Sequence, residues 1–122
     1  MARVIGLDFD DRKNKAVVRK AIKHIIDHFK PFWIHLSISC SGRGYHIKFK
    51  TPIDYSDLAC IEIRKKLGDD PNRISIVYDE DGTWKYRDVL FDIKLVNGKI
   101  MKSVPLDVAT FLRTGREVVL DG

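Results

Sequence analysis

Between residues 3 and 50 the hydrophobic positions change period twice and break once, and each change or break predicts a new element. Ile5, Leu7 and Phe9 alternate as in a strand. Val18, Ala21, Ile22, Ile25, Ile26 and Phe29 then recur at helical spacing, predicting a helix over 12–29. Asp10 or Asp11 is placed to cap its start, and Lys30-Pro31 ends it. Alternation returns over 32–40, breaks at Ser41-Gly42-Arg43-Gly44, and resumes over 45–50, which predicts a hairpin. A second helix is predicted over 55–67, with Asp54 as cap and Gly68 at the exit. A strand pattern covers 73–79, and Asp81-Gly82 marks a turn. Segments 88–95 and 99–104 flank Asn97-Gly98, a strong short-hairpin signal. A short helix over 105–112, closed by Gly115, and an edge strand over 116–120 complete the chain.

The order β-α-β-β-α-β predicts an α+β fold of ferredoxin or RNA-recognition-motif type. Its antiparallel-rich sheet carries helices on one face and leaves the other face open and polar. The C-terminal hairpin and short helix are additions, and the strand after residue 73 is expected beside the first strand. Strand parity then sorts the side chains. Ile5, Leu7 and Phe9, then Ile34, Leu36, Ile38 and Cys40, then Tyr45, Ile47 and Phe49 face the helices. Gly6, Asp8 and Asp10 face the other way, as do Trp33, His35, Ser37, Ser39, His46, Lys48 and Lys50. Three independent parities therefore bring Asp8, Asp10, Ser39, His46 and Lys48 to one polar surface. Two neighbouring carboxylates repel unless a cation separates them, and Mg²⁺ or Mn²⁺ with phosphate oxygens suits that need. Backbone N–H groups and the arginine of the Gly42-Arg43-Gly44 turn are suited to phosphate.

Composition narrows the partners. The 122 residues suit one domain spanning 1–122, and 44% hydrophobic residues suit a packed core. Cys40 and Cys60 sit in apolar runs at no metal-ligand spacing, so buried thiols in a reducing compartment are expected. No signal peptide and no membrane span are expected, which points to a cytoplasmic protein. The net charge of +5 favours an anionic partner such as nucleic acid or nucleotide. A charged fraction of 32% with no glutamine leans toward a thermophilic source.

Gly6-Leu7-Asp8-Phe9-Asp10 resembles the apolar-Asp-x-Asp first motif of archaeo-eukaryotic primases and primase-polymerases. Ser39-Cys40-Ser41-Gly42-Arg43-Gly44-Tyr45-His46 resembles their second motif, a Ser-Gly-x-Gly-x-His stretch before an apolar strand. The resemblance is specific over residues 4–50. It implies that Asp8 and Asp10 ligate metal, that His46 contacts the triphosphate, and that Ser41 and its neighbours line a phosphate pocket. It also implies a third acid on a later strand. Asp79 is favoured, at the end of Arg73-Ile74-Ser75-Ile76-Val77-Tyr78-Asp79, with Asp92, Asp88 and Asp81 as alternatives. The chain shows neither the zinc spacings nor the Gly-Lys-Thr loop that family members often add, so a minimal palm is expected. The implied activity is metal-dependent nucleotidyl transfer from nucleoside triphosphates to a DNA or RNA primer, with other replication proteins as partners. Lys48, Lys50, Arg43 and Lys85 would then hold template and phosphates.

Two other readings compete. A noncatalytic RNA-recognition-like domain shares the topology, and Arg43-Gly44-Tyr45-His46-Ile47-Lys48-Phe49 resembles its aromatic signature. Parity, however, sends Tyr45 and Phe49 into the core. A metal-dependent nuclease or a replication nickase is the other; His24, His28, His35 and His46 form none of the His-x-His pairs that a nickase needs.

Overall fold

A computed structural model describes residues 3–73, 77–78, 84–85, 88, 90 and 93–120. Strand β1 (Arg3–Phe9) is followed by helix α1 (Lys15–His24), strands β2 (Trp33–Ile38) and β3 (Tyr45–Thr51), and helix α2 (Asp57–Leu67). A 3-10 turn, Pro71–Arg73, follows. Strands β4 (Val77–Tyr78) and β5 (Trp84–Lys85) pair with each other, as do β6 (Ile93–Val96) and β7 (Lys99–Lys102). Strand β8 (Val104–Leu106) and helix α3 (Val108–Thr114) come last. The class is α+β, as expected. The hairpin at Asn97-Gly98 is also present, with both residues at positive φ (50° and 76°), as a tight two-residue turn requires.

The four-stranded sheet has the order β1-β3-β2-β8 and is antiparallel at every pairing. β3 lies between β1 and β2, so the first two strands of the chain are not neighbours in the sheet. Residues 74–76 and 79 of the expected fourth strand lie outside the described residues, and at Gly6 and Asp8 the β1 edge makes other bonds. Gly6 N–H donates to Asp88 Oδ2 at 2.7 Å, and Gly6 O accepts from Arg73 Nη1 at 3.3 Å. Asp8 N–H donates to Asp69 Oδ1 at 2.8 Å, and Asp8 O accepts from Asp70 N–H at 3.1 Å. These edge groups are thus satisfied by side chains and a loop rather than by a ladder. The sheet grows on the opposite edge, where β8 pairs with β2.

The parity reading holds. Ile5, Leu7 and Phe9, Leu36 and Ile38, and Tyr45, Ile47 and Phe49 are all buried. They pack with Val18 and Ile22 of α1, Ile25 just beyond it, Cys60 and Leu67 of α2, and Phe111 of α3. Both cysteines are free and buried, as expected, and burial pushes the Cys60 thiol up. Ile26 departs from its expected place and is 37% exposed. The helix continues past His24 as a π-turn, Ile25–Phe29. A π-turn closes on i+5 and carries more residues per turn, which rotates Ile26 off the core stripe while keeping Ile25 and Phe29 on it. The caps also differ. Asn14 rather than Asp10 or Asp11 precedes α1, and Ser56 rather than Asp54 caps α2, its side chain accepting from Ala59 N–H. Gly68 (φ 90°) and Gly115 (φ 75°) end α2 and α3 as expected.

Candidate functional site

Asp8 and His46 face each other across the β1–β3 ladder. Their side chains project from the face opposite the helices, and His46 Nε2 stands 3.5 Å from Asp8 Oδ1. Around this pair lies a cleft of about 230 Å³ lined by Asp8, Asp10, Ser39, Ser41, His46 and Arg73, with Leu90 and Lys94 closing it. The structure thus brings together the two first-motif acids and the Ser39, Ser41 and His46 of the second motif. The open face is not open at its β1 end. A Cβ built on Gly6 would come within 2.8 Å of both Asp88 Oδ1 and Leu90 Cδ1, so these two residues lie over the sheet there. His46 is correspondingly only 8% exposed, more covered than parity alone implies.

The second-motif turn works differently from the expected phosphate cradle. Gly42 N–H donates to Ser39 O at 2.9 Å, Gly44 N–H to Ser39 Oγ at 3.2 Å, and Arg43 N–H to Ser41 Oγ at 3.4 Å. The N–H groups of Gly42, Arg43 and Gly44 are thus bonded within the turn rather than left outward. Gly44 packs so tightly that a Cβ would meet Phe9 O at 2.0 Å, which joins the second motif to the end of the first. From behind, Arg12 holds the turn: its N–H donates to Arg43 O at 2.8 Å and its Nη1 to Gly42 O at 3.2 Å. Arg12 Nη2 in turn bonds Glu117 at 2.6 Å. The buried Tyr45 hydroxyl lies near Glu117 outside hydrogen-bonding geometry, and burial together with that carboxylate pushes its pKa to about 12. Arg43 itself is exposed. Lys48 lies beyond His46, lining a second and larger groove of about 550 Å³ with His35 and Ser37.

Electrostatics single out Asp8. Burial pushes its carboxyl up from 3.8 to about 6; Arg73 opposes this, while Asp10, Asp70 and Asp69 add to it. A carboxylate with this much negative charge around it gains from a cation. Among the described residues, no group of three or more His, Cys, Asp or Glu side chains stands close enough to hold a metal ion. The favoured third acid, Asp79, and its alternatives Asp81 and Asp92 lie outside the described residues. Asp88, the remaining alternative, braces the β1 edge: one oxygen accepts from Gly6 N–H and the other from Arg73 Nη2 at 2.6 Å.

Sequence reasoning missed the group that holds Asp8 in place. Asp69 Oδ1 accepts from Asp8 N–H, Asp70 N–H and Arg73 Nη1; Asp69 Oδ2 accepts from Arg64 Nε at 2.7 Å. Arg64 is 1% exposed. Its signal was available: Cys60, Arg64 and Leu67 share one helical stripe, and an arginine in an apolar stripe demands a buried carboxylate. Asp70 joins Asp8, Asp10 and Asp11 around an adjoining hollow of about 300 Å³, and no spacing rule pointed to it. No helix among the described residues is long and apolar enough to cross a membrane. Compared with family models, curated proteins and solved structures, the chain matches none.

Proposed function

We propose that this chain is a primase-type palm that carries out metal-dependent nucleotidyl transfer from a nucleoside triphosphate to a nucleic-acid primer. One observation carries the reading: Asp8 and Asp10 share a small cleft with His46, Ser39 and Ser41, and the Asp8 carboxyl is pushed up to about 6 by burial and by neighbouring acids. That electrostatic excess fits Mg²⁺ or Mn²⁺ beside triphosphate oxygens. Asp8 and Asp10 hold the metal in this reading, with Asp79 as the third acid. Bound there, the metal supplies charge neutralisation and acidifies the attacking hydroxyl. His46 donates its Nε2–H to a phosphate oxygen, its ring held in place by burial in the β1–β3 ladder. Lys94 at the cleft wall and the exposed Arg43 of the adjoining turn add positive charge for the leaving pyrophosphate. Ser41, exposed at the turn, offers a hydroxyl to the same phosphates.

The test is calorimetry of Mn²⁺ and of Mn²⁺ with a nucleoside triphosphate. The parent is expected to bind both. The Asp8→Ala/Asp10→Ala protein is expected to bind neither, with an unchanged circular-dichroism spectrum. Equal metal binding by parent and double variant would sink the reading. A protein that binds oligonucleotide but no metal would move it to the noncatalytic class. His46→Ala is expected to lower triphosphate affinity about tenfold, roughly one charge-assisted hydrogen bond. Retention of Mn²⁺ binding by that variant separates a phosphate contact from general damage to the cleft.

A further inference from the structure

Among the described residues, Asp88 and Leu90 lie over the β1 end of the sheet face, and the rest of that face belongs to β2 and β3. Its residues lie in rows across the strands. Trp33 pairs with Lys50, His35 with Lys48, and Ser37 with His46, which is itself paired with Asp8. Trp33 and His35 stack on each other, with ring centroids 4.4 Å apart and planes 18° from parallel. Trp33 is half-buried and His35 exposed. Successive rows are about 6.7 Å apart, so the Trp33 row lies about 13 Å from the Asp8 row. A groove of about 550 Å³ covers the second and third of these rows, lined by His35, Ser37, His46 and Lys48 with Pro105 and Asp107 on its β8 side, and His46 is its common wall with the acid cleft.

We propose that single-stranded nucleic acid lies along this β2–β3 track. Its bases rest on the Trp33–His35 stack, its phosphates lie on Lys48 and Lys50, and the strand leads past His46 to the acids. This names where the nucleic acid sits, and it rests on the nucleic-acid part of the function proposed above. Two features select the occupant. Lysines in register beside the two stacked rings match a chain that alternates flat bases with anionic phosphates. Ring faces on a flat sheet are reachable by unpaired bases, whereas a duplex keeps its base faces stacked inside. Charge also sets the direction. Asp8 and Asp10 repel phosphate at one end, so the lysine rows are where a backbone docks in the absence of metal.

The probe is a fluorescein-labelled oligodeoxythymidylate, titrated by anisotropy without divalent metal, against a duplex of the same length. The parent is expected to bind the single strand more tightly. Trp33→Ala is expected to weaken it about tenfold or more, and Trp33→Phe to recover most of the loss. Lys50→Gln is expected to reduce the slope of log affinity against log salt by about 0.7, one phosphate contact. In a Trp84→Phe background, emission from Trp33 is expected to quench as the strand binds. Parent-like binding by both Trp33→Ala and Lys50→Gln, or equal binding of duplex and single strand, overturns the track. Mn²⁺ and triphosphate binding by the same variants keeps the two proposals separable. Loss of the oligonucleotide with metal binding retained concerns the track alone. Loss of metal binding in Asp8→Ala/Asp10→Ala does not touch it.

Discussion

Asp8→Asn is expected to make the metal-free protein more stable at neutral pH while abolishing its stabilisation by Mn²⁺. The reason is the sign of the Asp8 shift. Its carboxyl is pushed from 3.8 to about 6, so the folded protein favours the protonated form. The stability this contributes is present in full below about pH 4. It is lost as pH rises through about 6, because the charge must then form in a partly desolvated cleft among other acids. The Asp8 side chain is 21% exposed, and water in the cleft screens part of the cost. At pH 7 the penalty is about 1–2 kcal/mol, a few degrees in Tm. Asn has the shape of the protonated acid and carries no charge. Main-chain bonds from Asp8 to Asp69 and Asp70 are untouched by the change. Thermal unfolding from pH 4 to pH 8 is therefore expected to show a falling contribution in the parent and a flatter curve in the variant. Millimolar Mn²⁺ is expected to raise the parent's Tm at pH 7 and leave the variant's unmoved. A variant less stable than the parent at pH 7 without metal would mean that the ionised carboxylate supports the fold, and that the cleft is structural.

The parts of this fold that were legible in the sequence are those that depend on local periodicity. Ile5, Leu7 and Phe9 had to share a face because side chains alternate along a strand. The same rule placed Asp8 and His46 together without any knowledge of the register that pairs them. Asn97-Gly98 announced its turn because few residues adopt two successive positive φ values. What stayed hidden depends on bonds between distant positions. Asp69 reaches Asp8 across 61 positions, and Asp88 reaches Gly6 across 82. A carboxylate that bonds a strand edge looks, in sequence, the same as one that ligates a metal, so the edge bonds of Asp88 could not be read there. The turn at Ser39–Gly44 misled for a related reason. Its glycines read as a phosphate loop, but whether its N–H groups face outward or bond Ser39 and Ser41 depends on geometry that composition does not carry. The π-turn at Ile25–Phe29 is equally silent, since its residues satisfy a helical pattern and differ only in how the turn closes.

Asp69→Ala is expected to cost the protein about 3–5 kcal/mol, enough to unfold much of the population at moderate temperature. The Asp69 side chain is fully buried and answers two arginines: Arg64 through Oδ2 at 2.7 Å and Arg73 through Oδ1 at 2.7 Å. Removing it leaves two guanidinium groups facing each other in a region from which water is largely excluded. It also unbonds Asp8 N–H, on the strand edge that carries the proposed metal ligand. Attraction within such a pair is offset by the desolvation of its members, so its net worth is small, whereas the cost of breaking it is large. Asp69→Asn separates the two contributions. The amide keeps an oxygen for Asp8 N–H and Asp70 N–H but gives up the charge that balances the arginines, so its cost should fall between parent and Ala. Urea unfolding is the measurement. The midpoint is expected to move down strongly for Ala and less for Asn, with the slope unchanged if both states keep their exposed surface. Under conditions where Asp69→Asn stays folded, its Mn²⁺ affinity is expected to stay close to the parent's, because the amide oxygen still accepts from Asp8 N–H and holds β1 beside the cleft. An Ala variant within 1 kcal/mol of the parent would show that Asp88 and Arg73 hold the β1 edge without Asp69, and that the acids need no buried support.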